Sequence, residues 1–364
     1  MLSRRLMLAG PALVGLSRKA AAQYRREDAD TDIVLLSADG QAAAVQAVND
    51  VVARIRTPDV SLRAEAGPDI LDAASRLVDR PAAVAAMLPS VSLVYMMQAG
   101  LPEHVVYANR FIGRMGVSEL HVLASRRVSD VRDLTGQQVA VGPKGSSTQA
   151  TAAIWLERSS LRVKPLYLEP EQALAAVRHG QIPAMMLLAA KPARLFFDLN
   201  RSEGVHFLPV GVPDGKPVGL FPTQILPTDY PLLAGGEAGT GQPVATLGVP
   251  MVLACYAWSP LTPICLGLAR LTDLLIQRGS GLRGFDMAAD VAGWQRFPPV
   301  TAWLARGGTV MDAVLAQRRS PSMDPIDTSQ AAPPEPRRPP AGTGRSASEK
   351  ERLFQQFLDW HRHQ

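Results

Sequence analysis

The stretch VAVGPKGSSTQATAAIWLE, residues 139–157, joins a short apolar run to a turn flanked by Gly142 and Gly145, and then to a segment headed by three hydroxyl side chains. By pattern it reads as a strand, a glycine-flanked turn and a helix that opens at Ser146, Ser147 and Thr148. The first N–H groups of a helix have no partner within it and together carry about half a positive charge. A strand that delivers its chain through glycines to such an end is therefore suited to holding an anion. Gly142 and Gly145 let a ligand approach the backbone without a Cβ in the way, and the hydroxyls add donors. A nucleotide P-loop is excluded, because Lys144 precedes Gly145 and no Lys follows it, as GxxxxGK[ST] would require. The competing reading is a serine that only caps its own helix, a contribution of about 1 kcal/mol.

Working outward, strands alternate with helices. TDIVLLSADG (31–40) is an apolar run ending in a polar turn, and the following QAAAVQAVNDVVARIR (41–56) places Ala44, Val45, Val48, Val51 and Val52 on one helical face. AAVAAMLPSVSLVYMMQAG (82–100) supplies a second strand–helix unit and ELHVLAS (119–125) a further strand. Beyond the opening stretch come a helix over 170–179, a strand at AMMLLAA (184–190), a helix from Pro192 and a strand at VHFLPV (205–210). This order predicts an α/β fold with mostly parallel strands. The ordered span, from residue 30 to about 315, is long for one sheet, so more than one is expected.

Composition bounds the function. Of 364 residues, 47% are apolar and 20% charged, enough for one or two lobes with real cores. The net charge of +5 includes Arg4, Arg5, Arg18 and Lys19, and without these four the chain carries +1. That basicity thus belongs to a leader, not to a nucleic-acid surface. MLSRRLMLAGPALVGLSRKAAAQ has a charged start, an apolar run too short to span a bilayer, and small residues at 20–22: the layout of a signal peptide over 1–22, with a twin-arginine-like SRRLML. A soluble periplasmic protein is expected. Cys255 and Cys265 either pair across the Ser-Pro and Thr-Pro steps between them or lie as buried thiols. The six histidines are scattered, and neither a metal-ligand spacing nor a cofactor motif stands out, so no cofactor is expected.

The character changes at Arg318. Residues 318–347 hold seven prolines between 321 and 340 and few large hydrophobes, a composition that cannot offset the entropy of folding, and are read as a disordered linker. Residues 348–362 close the chain with a short amphipathic helix. Ser348 and Glu351 fit a capping box there, and Leu353, Phe354, Phe357, Leu358 and Trp360 share one side. Such a helix suits docking on a protein or membrane surface, or folding back on its own body.

VSDVRDLTGQQVAVGPKGSSTQATA (128–152) resembles the segment L-x-G-x-x-V-x-V-G-P-x-G-S-G-T of the TAXI-type solute-binding proteins, the periplasmic receptors of one branch of TRAP transporters. LEPEQALAAVRHGQIPAMMLL, FPTQILPTDYP, VATLGVPMVLAC and RFPPVTAWLARGG resemble later segments of that family in the same order, so the likeness runs over residues 85–308. It implies a two-lobed type II periplasmic-binding-protein fold with two mixed sheets and a central cleft, closing on a small carboxylate-bearing solute by hinge motion. Lobe one would be residues 30–120 plus 250–317, and lobe two residues 121–249. TRAP membrane subunits would be its partners. Carried over residue by residue, Gly145, Ser146, Ser147 and Thr148 would hold the solute's carboxylate from lobe two. Ser90 falls at a serine after a lobe-one strand, and Gln224 in a crossing that lines the cleft.

Two departures bear on the ligand. The family's glycine-rich first turn is here Ser37-Ala38-Asp39-Gly40, whose carboxylate repels an anion at that place but can accept a ligand ammonium, so an amino acid or another zwitterion is expected to fit. Ser147 replaces the motif's second glycine and narrows the pocket. Enzyme readings find little support. GSGLRG (279–284) follows a helical stretch, Leu266 to Arg278, and reads as that helix's C-terminal turn, not a dinucleotide fingerprint. Asp286 and Asp290 fit a solvated helix face, and no nucleophile–base pair is identifiable by spacing. The alternative to a transport receptor is a sensor or interaction protein that uses the same body and engages a partner through the 348–362 helix.

Overall fold

A computed structural model describes residues 32–78, 82–213, 219–234 and 241–319. The expected leader, most of the expected linker and the expected terminal helix lie outside the described residues.

Among the described residues ten strands form one hydrogen-bonded sheet: β1 (Ile33–Ser37), β2 (Leu62–Glu65), β3 (Ala83–Pro89), β4 (Asn109–Ser125), β5 (Gln138–Ala140), β6 (Lys164–Leu166), β7 (Ala184–Ala189), β8 (Val205–Phe207), β9 (Phe221–Ile225) and β10 (Val244–Tyr256). The order is β2-β1-β3-β10-β4-β7-β5-β6, with β8 added to β4 and β9 to β10. The expected two sheets are thus continuous. β4 and β10 are long enough to serve both halves: β10 pairs with β3 through Met251–Ala254 and with β9 through Val244–Gly248, while β4 pairs with β10 through Asn109–Glu119 and with β7 through Glu119–Ala124. Where the two antiparallel strands pass between halves the register shifts at Met251/Val252, opposite Gly116 at φ +140. A bulge there lets the sheet bend and twist.

The result is a two-lobed α/β fold. In each half the outer strands pair in parallel, β2-β1-β3 in the first and β7-β5-β6 in the second, and helices cover both faces. Side chains alternate accordingly. Ile33, Leu35, Ala83, Ala85 and Met87 pack with α1 (Ala42–Ile55) and with a helix group downstream, whereas Val34, Leu36, Val84, Ala86 and Leu88 pack with α2 (Ile70–Arg76) and α3 (Ser92–Gln98). The second half repeats this with α4 (Ser147–Arg158) on one face and α5 (Pro170–Arg178) on the other. Runs buried on both faces read as continuously apolar, as parallel strands require. Three later helices, α6 (Pro263–Arg278), α7 (Pro298–Arg306) and α8 (Val310–Arg319), return to the first half.

Several expectations change in detail. The helix expected from Pro192 is only a 3-10 turn, Arg194–Phe196, whose Phe196 turns into the core. Asp286 and Asp290 lie in irregular chain and not on a helix, paired with Arg114 and Arg296. α8 continues through Arg318, where the linker is expected to begin, and the Arg318 guanidinium donates to the Pro260 and Thr262 carbonyls. Cys255 and Cys265 are free and buried in the first half's core.

One polar group is built into the second half's core. His121 of β4 is fully buried, with Nδ1 3.0 Å from the Glu119 carbonyl and Nε2 2.7 Å from the Tyr230 hydroxyl. A carbonyl only accepts, so Nδ1 carries the proton and Tyr230 donates to Nε2 while accepting from the Ala193 N–H. The ring is neutral, and the Phe196 and Phe207 rings enclose it at 5.6 Å. Burial pushes its pKa down to about 4. The unfolded chain, at about 6.5, takes up the proton first as pH falls, so His121's contribution is complete above that value and is lost towards the folded one. Urea denaturation should show a loss of about 2 kcal/mol from this group between about pH 7 and pH 5. His121→Gln should remove that part of the pH dependence.

Candidate functional site

In both halves the parallel strands point their carboxyl ends at the other half, the place where open α/β sheets offer a crevice. From the first half come the turn after β1, carrying Ser37 and Asp39, the turn after β2, carrying Gly67 and Asp69, and the N-terminus of α3 with Ser90 and Ser92. From the second come the Gly142–Ser147 turn after β5 and the end of β7.

These walls touch. Asp39 is buried, and its Oδ2 accepts from the Ser147 N–H at 2.7 Å while Oδ1 accepts from Gln41 N–H at 3.1 Å. The Gly145 carbonyl accepts from Ile70 N–H at 3.1 Å, and Ser90 Oγ donates to the Gly219 carbonyl at 2.9 Å. Tyr95 of α3 donates to Gln149 of α4 at 3.0 Å, and the same Gln149 oxygen accepts from the Gly145 N–H. Further out, Gln41 bonds to Glu169 and Gln98 to Glu157. Ala150 of α4 packs into the first half's core beside Ile70, Leu93 and Met96. The central cleft expected from sequence is closed by direct contact.

The helix N-terminus does hold a carboxylate, and it is the chain's own. A charged acceptor on a backbone N–H at a buried helix start is among the stronger single hydrogen bonds, about 1.5–3 kcal/mol, and its charge complements the helix dipole. Asp39 spends both oxygens on backbone donors. Its turn is fixed from below: Ser37 Oγ donates to the Asp39 carbonyl at 2.7 Å and accepts from the Gly67 N–H.

The remaining hydroxyls of the set divide by what they bond. Ser146 caps α4 through Gln149 N–H, and Thr148 Oγ1 accepts from Leu188 N–H at 3.1 Å, tying the helix to the end of β7. The Ser147 hydroxyl is buried and has no hydrogen-bond partner. Sequence reasoning missed its counterpart, the equally buried and unpartnered Ser92 Oγ, which opens α3. The signal for it was its place two residues after Ser90 in PSVSL. The two helices meet one turn in from these serines, through Tyr95 and Gln149. Gln224 stands apart, with an exposed side chain on β9 and a carbonyl that accepts from Lys191. A cavity of about 540 Å³ lined by Arg126, Arg201, His206 and Tyr230 contains none of the sequence-predicted residues. Among the described residues no His, Cys, Asp and Glu group forms a metal site, and no helix is long and apolar enough to cross a membrane.

The model of the NMT1-like family matches residues 104–260, from just before β4 to just after β10, and so includes the glycine turn and α4. That description differs from the TAXI-type receptors which the motif resembles. No curated protein sequence matches. Among solved structures, MatC from Rhodopseudomonas palustris with bound malate is 15% identical over 78% of this chain and 98% of its own, with a TM-score of 0.44. A TctC solute binding protein from Polaromonas is 12% identical over 80% and 98%, at 0.41. The periplasmic aliphatic sulphonate binding protein SsuA from Escherichia coli is 20% identical over 49% of this chain and 59% of its own, at 0.34. Scores of this size leave function to be derived from the residues themselves.

Gly145 shows how tightly the contact is built. At φ +76 it occupies the left-handed region, and a Cβ there would lie 2.5 Å from Asp69 Cβ. Gly136, at φ +75, has open space around it. Gly136→Ala should therefore cost only backbone strain, about 1 kcal/mol, whereas Gly145→Ala adds a collision across the contact. In thermal unfolding Gly145→Ala should cost more than Gly136→Ala by at least about 1 kcal/mol.

Proposed function

We propose that the protein is an exported, periplasmic solute-binding receptor that captures a small carboxylate-bearing solute between its two lobes. The observation that carries this is the pair of buried hydroxyls without partners, Ser92 and Ser147, each at the start of a helix on opposite sides of the closed contact. Buried polar atoms are nearly always satisfied, and an orphan at a helix start between lobes is placed for a ligand oxygen. Gly145, Ser146, Thr148, Ser37 and Ser90 are the frame of this site, since their polar groups already bond within the protein. Asp39 is its gate: a solute carboxylate reaches the α4 N-terminus only when the halves part. Closure on the solute is then favoured by as much as the solute prefers the closed state, and no more. The TAXI-like segment at 128–152 and the leader-like residues 1–22 support TRAP-type uptake as the use of such a receptor.

A second reading is favoured by the Asp39–Ser147 contact itself, because a body whose halves are joined by its own side chains suits a sensor or interaction protein as well as a carrier. In that case the 348–362 helix engages the partner, and deleting residues 320–364 leaves solute affinity unchanged but abolishes the biological effect.

The test is thermal unfolding of the chain from residue 23 onward against dicarboxylates, amino acids, sulfonates and phosphate, since a ligand of the folded state raises the midpoint by mass action. A shift with one carboxylate-bearing class is expected. Ser92→Ala and Ser147→Ala should each leave stability unchanged or raise it by up to about 1 kcal/mol, because an unsatisfied group is removed. Each should weaken the responding solute about tenfold, the equivalent of one lost hydrogen bond. A folded, ligand-free protein that responds to no member of the panel would overturn the receptor reading.

A further inference from the structure

We infer that Asp39 is an internal ligand: its carboxylate occupies the anion cradle at the N-terminus of α4 and latches the two halves together in the absence of any solute. The inference rests on where the carboxylate lies and on what surrounds it. Asp39 belongs to the turn after β1, in the first half, and Ser147 to the second, and they are 108 residues apart in the chain. The carboxylate is 2% exposed, with one oxygen on the Ser147 N–H and the other on the Gln41 N–H. Among the described residues no side-chain cation pairs with it. Its charge is met by backbone donors and by a helix N-terminus, the same groups that would meet a ligand's carboxylate.

A second observation points to the cradle as a ligand site and not a simple capping contact. Ser147, whose N–H donates to Asp39, is 8% exposed, and its buried Oγ has no hydrogen-bond partner, although the helix already has its cap in Ser146 Oγ. Asp39 therefore satisfies the backbone donor and leaves the hydroxyl beside it unused, as a substitute of limited reach would. The surrounding turns hold the latch in register: Ser37 orients the Asp39 backbone, Gly67 donates to Ser37, and Gly145, next to Asp69, bonds to Ile70.

A competing anion must displace Asp39, so the residue sets a threshold for solute binding besides closing the protein. The latch operates whatever the protein carries, and its failure would leave the solute reading intact.

Chemical rescue tests it. The full chain with Asp39→Ala should have a larger radius of gyration in small-angle scattering than the unsubstituted protein, and a lower melting midpoint, with the same far-ultraviolet circular dichroism. Sodium acetate should restore both quantities in Asp39→Ala, with at least tenfold greater apparent affinity than it has for the unsubstituted protein. Acetamide, of the same shape but uncharged, should not. Asp39→Asn, which keeps the side chain's size, should open the protein as Asp39→Ala does. Ser147→Pro removes the receiving N–H at a helix position where proline is tolerated, and combined with Asp39→Ala it should abolish the acetate response. An Asp39→Ala or Asp39→Asn protein as compact as the original would overturn the latch. So would equal rescue by acetate and acetamide, or an acetate response that survives Ser147→Pro.

Discussion

The architecture depends on the pairing of β4 with β10. Each strand is long enough to take part in two halves, and together they form, among the described residues, the sheet hydrogen bonding that runs from one half to the other. Everything else on either side is a conventional α/β layer whose apolar faces are covered locally. Because the connection is a two-stranded ribbon with a register shift near Gly116 and Met251, it supplies continuity while letting the sheet bend and twist. The positions of the turns that face each other follow from it.

Against that ribbon, the facing turns are joined by hydrogen bonds and by apolar packing. Asp39 on Ser147, Ile70 on Gly145, Ser90 on Gly219 and Tyr95 on Gln149 are single hydrogen bonds, while Ala150 packs into the first half's core and Val91 and Val94 pack into the second's. Hydrogen bonds of this kind exchange readily for water or for a ligand when halves part, whereas the cores on each face of the sheet cannot. His121 and Tyr230 illustrate the contrast. Their bond lies within one half, is sealed by Phe196 and Phe207, and serves stability. The orphan hydroxyls of Ser92 and Ser147 lie where the halves meet and contribute nothing to stability as they stand.

Strand and helix positions were legible to the extent that they rest on local pattern. The β1–α1 and β3–α3 units come from an apolar run followed by sequence that is apolar at helical spacing, the glycine turn from Gly142 and Gly145, and β10 from the resemblance of VATLGVPMVLAC to a family segment. Of the short strands, β5 and β8 lie in apolar runs and were read, whereas β2 and β6, of four and three residues, lie in mixed sequence that shows no period. The turn at Arg194–Phe196 was overread as a helix because proline starts a helix as readily as it starts a turn. That the Ser147 N–H would look outside its own helix for an acceptor was legible for the same local reason, since the first N–H groups of a helix have no partner within it.

The chain by itself thus determined its α/β class, its helix starts and the presence of a cradle for negative charge, because each depends on neighbours a few residues away. Only the tertiary structure decided what fills the cradle. Asp39 and Ser147 are separated by 108 positions, and no periodicity relates them. Read alone, Asp39 was an obstacle to an anion or a partner for an ammonium. The sheet brings it to the helix N-terminus, where both of its oxygens find backbone donors. Ser92 became visible on the same ground, for a hydroxyl is recognised as unpartnered only once all of its surroundings have been placed.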